Sequence, residues 1–561
     1  MLNRYFLLLL FFLLSTQVVF SQEVKRLATP SPVQYKWHEQ ERIMFVCLDP
    51  CTWQGREYDN HSTPLEQINP KKLNTNQWCE TAQLWGAKEI LFVAKHTGGF
   101  CWWQTETTDY GIKDTPYKNG KGDVLKDLAE SCRKYGLNLG VYVYPGDETW
   151  GAGIGSGGKT NDPSKQEAYN KVFRTQLEET LSKYGDIIEV WFDGSCVIDV
   201  SDILEKYAKN SVIFQGPHAT LRWSGTESGK LFYPYWNTVK SEILKTGVAT
   251  QVNDDLNGDA WAPIETNTTL YDHYWFWSAK KEEKRKSLDE LIECYYKSVG
   301  YGSVFLLNST PNTSGLIPET DRKLYKAFGD EIDRRFKTPI ASVKQETGKI
   351  IVLDLPGNKK INHVITMEDY RLGHRIREYK IEGFIEGNWK ELCRGQSVGR
   401  KKIDYFDDVE VSKIRLNVTK SVNEPVIRKL SVFYVEDFVA PPKQGIKPWS
   451  KWQDVGVFNT KENSTIEVDL TGKIKMPGQF LVKVEPYNSK VKVKIFDVEL
   501  IYDGRVVLKN FTSVKGNEIS INRTAQVTDE SRIVLRFKLK NKTECSGRIQ
   551  FKPAMIYTQS I

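Results

Sequence analysis

Hydrophobic positions follow two rhythms over the first 336 residues. Four short runs are apolar at nearly every position: 42–49 (RIMFVCLD), 89–96 (EILFVAKH), 138–145 (NLGVYVYP) and 187–193 (IIEVWFD). Such runs are the signature of strands buried on both faces. Between them, 75–85, 122–135 and 167–184 carry apolar residues at helical spacing. Gly86, Gly136 and Gly185 stand where these segments stop, as left-handed helix caps require. Residues 212–215 and 303–308 (SVFLLN) read as later strands. Repeated strand-then-helix units predict an α/β class fold with a parallel sheet. Their number favours a (β/α)8, TIM-like barrel over an open sheet.

Beyond residue 336 the rhythm shortens. IIVLDL, HVITMEDY, YKIEGFIEG, KIRLNV and KLSVFYV follow one another between 349 and 435, which is all-β patterning. A Pro/Lys-rich stretch over 439–452 reads as a linker. Alternation then resumes at 465–470, 479–484, 491–502 and 532–539, predicting a second β-sandwich over 453–561. At the other end, Arg4 precedes an apolar run over 5–14, and Val19-Phe20-Ser21 precedes Gln22. That is the build of an export signal over 1–21. The run is shorter than the ~20 residues a membrane span needs, and no later segment qualifies, so an exported protein without membrane insertion is expected. The predicted order is signal peptide 1–21, barrel 22–338, sandwich 339–438, linker 439–452 and second sandwich 453–561.

Composition narrows the function classes. A net charge of +7 without a Lys/Arg block gives no footprint for nucleic acid. Aromatics make up 12% of the chain, with 16 Trp and 26 Tyr, side chains suited to stacking on sugars. The nine cysteines are odd in number and irregularly spaced, and the seven histidines are scattered singly. Neither a CxxC pair nor a Cys/His cluster is present, so buried thiols are expected, with no metal site and no cofactor. Cys47 and Cys51 are the one close pair, and a bond between them stays open.

Candidate chemistry gathers where the strands end. His96 ends the second strand, Tyr142 and Tyr144 lie near the end of the third, Asp193 ends the fourth and Asn308 ends a late one. Loops at the carboxy ends of barrel strands carry catalytic groups. Glu227 follows in RWSGTESG (222–229), where glycines on both sides predict an exposed loop with a projecting acid. An Asp and a Glu facing one pocket rich in Trp and Tyr are the parts of a retaining glycosidase. Trp236, Trp275 and Trp277 are candidates for the stacking wall. Each residue also has a duller reading: Asp193 and Asn308 as turn caps, His96 as a core histidine, Glu57 as a solvated acid, the tryptophans as packing.

Several blocks together resemble glycoside hydrolase family 29, the α-L-fucosidases, over about 41–336, and its 1,3/1,4-linkage subgroup most. These are KNGKGDV (118–124), VWFDG (190–194), RWSGTESG (222–229), WAPIE (261–265) and KSVGYGSVFLLNSTP (297–311). The resemblance implies Asp193 as nucleophile and Glu227 as acid/base. It also implies His96, Trp103 and Glu57 as retained binding positions, with Tyr58 replacing a Trp. Tyr142, Trp236 and Trp275 complete the substrate-binding set, and the implied partner is a fucosylated or related glycan. RLGHRI (371–376), Trp389 and Gly399 resemble the discoidin-like sandwiches that accompany many of these enzymes. The sequence departs from the family at Cys47-Leu48-Asp49, Thr97-Gly98-Gly99 and Pro145-Gly146-Asp147. Cys47, Leu48, Thr97 and Gly98 are smaller or less polar than the usual residues and should leave extra room beside the sugar. Two functions follow: a secreted retaining exo-glycosidase on α-L-fucosides or a relative such as α-L-galactosides, or a catalytically silent carbohydrate-binding protein.

Overall fold

A computed structural model describes residues 26–442, 452–460, 464–474, 478–502, 505–508, 512–523, 532–541 and 544–556. The expected signal peptide and most of the expected linker lie outside the described residues. Eight parallel strands form one sheet: β1 Arg42–Val46, β2 Glu89–Lys95, β3 Asn138–Val143, β4 Ile187–Trp191, β5 Val212–Phe214, β6 Arg222–Trp223, β7 Ile264–Thr268 and β8 Val304–Ser309. Their order, β5-β4-β3-β2-β1-β8-β7-β6, is that of a TIM-like barrel opened between β5 and β6. Thr220 bridges that seam, its N–H donating to the Ile213 carbonyl at 2.9 Å.

Strand alternation sorts the side chains into two layers. Ile43, Phe45, Leu91, Val93, Tyr142, Trp191, Phe214 and Leu306 fill the barrel interior. Their neighbours Met44, Val46, Phe92, Val141, Val190 and Leu307 face the helices outside. Helix α1 Pro32–His38 packs Trp37 against the interior layer, and the outer helices are α2 Thr75–Leu84, α3 Val124–Tyr135, α4 Gln166–Ser182, α5 Ser201–Tyr207, α6 Leu288–Lys297 and α7 Glu319–Phe336. Local chemistry fixes their ends. The Asn74 side chain caps α2 and Asp123 caps α3, while Gly136, at φ 65°, closes α3 in the left-handed region a side chain disfavours.

The chain continues into a six-stranded antiparallel sheet: β9 Ala341–Thr347, β10 Ile350–Glu368, β11 Ile376–Ile385, β12 Asn388–Gly395, β13 Lys402–Ser421 and β14 Val426–Phe433. Register shifts bend the long β10 against β13, and the sheet encloses its own core around Ile361, Tyr379, Leu416 and Leu430. It docks on the amino-terminal end of the barrel, where Arg400 donates to Glu41 at 2.7 Å and Arg428 to Glu39 at 2.8 Å. A five-stranded and a four-stranded antiparallel sheet then share a core of Phe458, Val482, Phe537 and Phe551. No helix among the described residues is long and apolar enough to cross a membrane.

Candidate active site

Asp193 sits two residues beyond Trp191, so alternation carries its side chain toward the barrel axis. The platform beneath it is aromatic: Trp191 lies flat on Phe214, 4.0 Å between centroids, and Tyr142 stacks on its other neighbouring face at 5.2 Å. Gly194 turns the chain at φ 83° and donates its N–H to the Gln215 side-chain oxygen, which holds the strand end in place. The Tyr142 hydroxyl donates to Asp193 Oδ2 at 3.1 Å. Burial pushes the Asp193 carboxyl up to about 6, and the Tyr142 hydrogen bond works against that rise.

Glu227 rides on a loop pinned to β7. Ser224 N–H donates to the Glu265 carbonyl at 3.0 Å and Gly229 N–H to the Asn267 carbonyl at 2.9 Å. Gly229, at φ 71°, leaves no room for a Cβ, which would stand 2.9 Å from Cys294 Sγ. The Glu227 carboxyl is pushed up to about 8, first by burial and then by the negative charge of Asp193, while a hydrogen bond from the Trp275 side chain resists the rise. The same two carboxylates, with Glu57, act on the Tyr58 hydroxyl, so all four groups share one pocket. At neutral pH one acid is mostly ionised and the other mostly protonated, the division of labour that acid-assisted nucleophilic displacement needs.

His96 reaches this pocket through a register irregularity between Val93 and Lys95 that reverses the alternation of β2. Lys95 turns outward to Tyr169 and Gln176, where it also pairs with Asp147 at 3.1 Å. His96 turns inward, against Tyr58, Tyr142, Tyr144 and Phe276, with ring centroids 5.0 to 6.2 Å away. Burial lowers its imidazole to about 4, so the ring is neutral and can both donate and accept. Glu57 is a strut: Oε1 meets Lys281 Nζ at 2.5 Å and Oε2 accepts from the Trp275 N–H at 2.8 Å. Trp275 packs edge-on to Phe45 and accepts from Asn308 Nδ2 at 3.1 Å through its carbonyl.

The structure thus brings together Asp193, Glu227, His96, Glu57, Tyr58, Tyr142 and Trp275. Trp103 and Trp236 lie elsewhere. Trp102 N–H bonds back to the Ala94 carbonyl, so the segment after β2 folds along the strand, and Trp103 is fully buried with its indole donating to Glu179 of α4 at 2.9 Å. Trp236 faces the seam with the following sheet, its ring edge-on to His374 and under the Arg377 guanidinium. Trp277 donates to Glu282 at 3.0 Å. The expected extra room is also absent at two positions. Leu48 points out into the strand–helix core, and a Cβ on Gly98 would meet Asp59 Oδ2 at 2.2 Å. Cys47 and Cys51 are separate buried thiols, the first bonded to Asn308 and the second to Asp49.

Sequence reading missed Lys281, which holds Glu57 from within the charged run KKEEKRK that reads as a solvated surface. It also missed a buried grouping of Asp49, Cys51 and His96, whose ligand atoms lie within 4.8 Å of one another and could hold a metal ion.

The family model described as alpha-L-fucosidase matches residues 33–334. Alpha-L-fucosidase 1 of Arabidopsis thaliana is 28% identical over 456 residues, covering 72% of this chain and 88% of that protein. A Bacteroides thetaiotaomicron structure assigned as an α-L-fucosidase is 33% identical, with a TM-score of 0.68, and covers 73% of this chain and 100% of that one. A glycoside hydrolase 29 family member from an unknown rumen bacterium is 26% identical, with a TM-score of 0.65, and the match spans 95% of this chain and 98% of that one.

Proposed function

The chain belongs to the α-L-fucosidase family, glycoside hydrolase family 29, and from that premise we propose that it is an exported, retaining exo-glycosidase that cleaves α-L-fucosides from glycans. Asp193 attacks the anomeric carbon while Glu227 gives its proton to the departing glycosidic oxygen. The bond to the aglycone breaks as the Asp193 ester forms. Glu227, now a carboxylate, takes a proton from water, which opens the ester and releases the sugar with its original anomeric configuration. Tyr142 stabilises Asp193 as the attacking anion, and neutral His96 and the Tyr58–Tyr144 wall face the sugar.

The observation that carries this reading is the meeting of Asp193 and Glu227 beside Tyr58 over the Trp191–Tyr142 platform, where burial sets the two carboxyls apart, at about 6 and about 8. A binder that never turned over substrate would have no use for a proton held on Glu227 at neutral pH. Cys47 and Thr97, with less polar or smaller side chains than the family's usual pair of imidazoles, favour a glycone bearing an additional substituent, such as an α-L-galactoside. Proton NMR of an aryl α-L-fucoside and an aryl α-L-galactoside during hydrolysis tests both points. The α-anomer of the released sugar should appear first. First appearance of the β-anomer would overturn retention, and equal or poorer turnover of the galactoside would overturn the altered preference. Export predicts a mature chain beginning at Gln22.

A further inference from the structure

Asp49 and Cys51 flank Pro50 in the turn after β1, and His96 follows β2 beside them. Asp49 and Cys51 have no exposed surface, and His96 is 8% exposed. The Cys51 thiol lies 3.0 Å from Asp49 Oδ2, and His96 Nδ1 lies 4.0 Å from the same oxygen. Asp49 is a poorly compensated acid: burial, with the charge of Asp59 nearby, holds its carboxyl well above the ordinary range. Among the described residues its Oδ2 accepts only from the Cys51 thiol and the Cys51 N–H, the latter at 3.4 Å. Its Oδ1 has no hydrogen-bond donor among the described residues. No Lys or Arg among the described residues pairs with it. A buried carboxylate in this state costs several kcal/mol unless something positive joins it.

We infer that Asp49, Cys51 and His96 form a binding site for a zinc-class transition-metal dication beside the sugar pocket. The donor set is one carboxylate, one thiol and one imidazole, which suits a borderline-soft ion and disfavours calcium or magnesium. Tetrahedral zinc with bonds of ~2.0 to 2.3 Å places neighbouring ligand atoms ~3.4 to 3.6 Å apart. The observed 3.0 and 4.0 Å bracket that spacing and all three ligand atoms lie within 4.8 Å of one another, so movements of about an ångström close the site. Binding releases two protons to solvent, one from the Cys51 thiol and one from the buried Asp49 carboxyl. The S–H···O hydrogen bond then disappears, and repulsion between thiolate and carboxylate opens the short contact toward the metal spacing. The dication, one thiolate and one carboxylate sum to zero charge, so ionised Asp49 gains the positive partner it otherwise lacks. The Thr97 hydroxyl touches His96 Nδ1 at 3.4 Å, a contact long enough for a metal to displace.

Three protein ligands leave a fourth position open for water or a hydroxyl of the bound sugar. A metal on Nδ1 also fixes the proton of His96 on Nε2 and stiffens the ring among its aromatic neighbours. The metal therefore has a positioning role in sugar binding, and the bond-breaking steps stay with Asp193 and Glu227.

The test reads metal rather than turnover, so its outcome is separate from that of the glycosidase reading. The full chain is stripped with chelator, loaded with zinc, dialysed and assayed for metal by mass spectrometry. About one zinc per chain is expected, falling roughly tenfold or more in Cys51→Ser and in Asp49→Asn. Cys393→Ser, a half-buried thiol on the first antiparallel sheet, should keep it. Cobalt loading of the unaltered chain should give a thiolate-to-cobalt charge-transfer band in the near ultraviolet, which needs no variant to fold. Absence of stoichiometric zinc, equal zinc in both site variants, or a cobalt spectrum without the thiolate band would each overturn the site.

Discussion

Replacing Glu227 with Gln isolates the role of its proton. With Asp193 near 6 and Glu227 near 8, kcat/KM should follow a bell centred at about pH 7, where about nine-tenths of each carboxyl is in its working form. The acid limb belongs to Asp193, which must lose a proton to attack. The basic limb belongs to Glu227, which must keep one to give. Glu227→Gln removes the second titration, so the profile should rise through about 6 and then stay flat. Loss of general acid catalysis is worth ~100- to 10,000-fold for a phenyl fucoside, whose leaving group needs the proton. A dinitrophenyl fucoside leaves as a stable anion, and its kcat/KM, which reports only the steps through cleavage, should fall by about tenfold or less. The assay is initial rates of both substrates across the pH range with variant and parent chains. Equal losses on the two substrates, or a basic limb that survives the substitution, would refute the assignment of Glu227 as acid.

Tyr142→Phe removes the hydrogen bond that favours ionised Asp193, so the acid limb should move above about 6 and activity should fall more at low pH than at high pH; an unmoved limb would show that the bond does not tune the nucleophile. Trp275→Ala should damage turnover through loss of its side-chain hydrogen bond to Glu227, whereas Trp236→Ala should lower the melting temperature with kcat/KM nearly intact, as measured by calorimetry and rates side by side. Glu89, Glu189 and Glu265 are fully buried inside the barrel, and burial with mutual repulsion raises all three above the ordinary range. Their contribution to stability is complete below the unfolded value of ~4.3 and is lost as pH climbs toward the raised folded values. Glu265→Gln keeps the neutral form permanently, so its melting temperature should decline less than the parent's between about pH 5 and 9, by the equivalent of ~1 to 3 kcal/mol, and parallel curves would contradict the cluster.

Much of the barrel is legible because strands buried on both faces leave nearly unbroken apolar runs, as β1, β2 and β4 do. β7 is not legible, since IETNT is polar at every position after Ile264. It is buried because Glu265 accepts from Trp191 and Asn267 from Trp223, pairings that only the closed barrel creates. Asp193 and Glu227 stand out as acids bounded by glycine at strand and loop ends. Which way a residue points beyond a strand end depends on bulges and reversals that leave no pattern. Trp103 and Leu48 therefore looked like pocket residues and face the helix shell, while His96 enters the pocket through an irregularity in β2. Asp49 and His96 are separated by the whole of α2 and β2, so their approach to Cys51 appears only when β1 and β2 pair.

The central claim is that Asp193 is the nucleophile of a retaining mechanism. A fluorinated α-L-fucosyl fluoride slows both steps but keeps a good leaving group, so a covalent sugar–enzyme ester accumulates. Proteolysis and peptide mass spectrometry then locate the ester. The account predicts a single adduct on Asp193 in the segment VWFDG, absent in Asp193→Asn. An ester on another carboxylate, or rapid turnover with no adduct and an inverted first product, would contradict it.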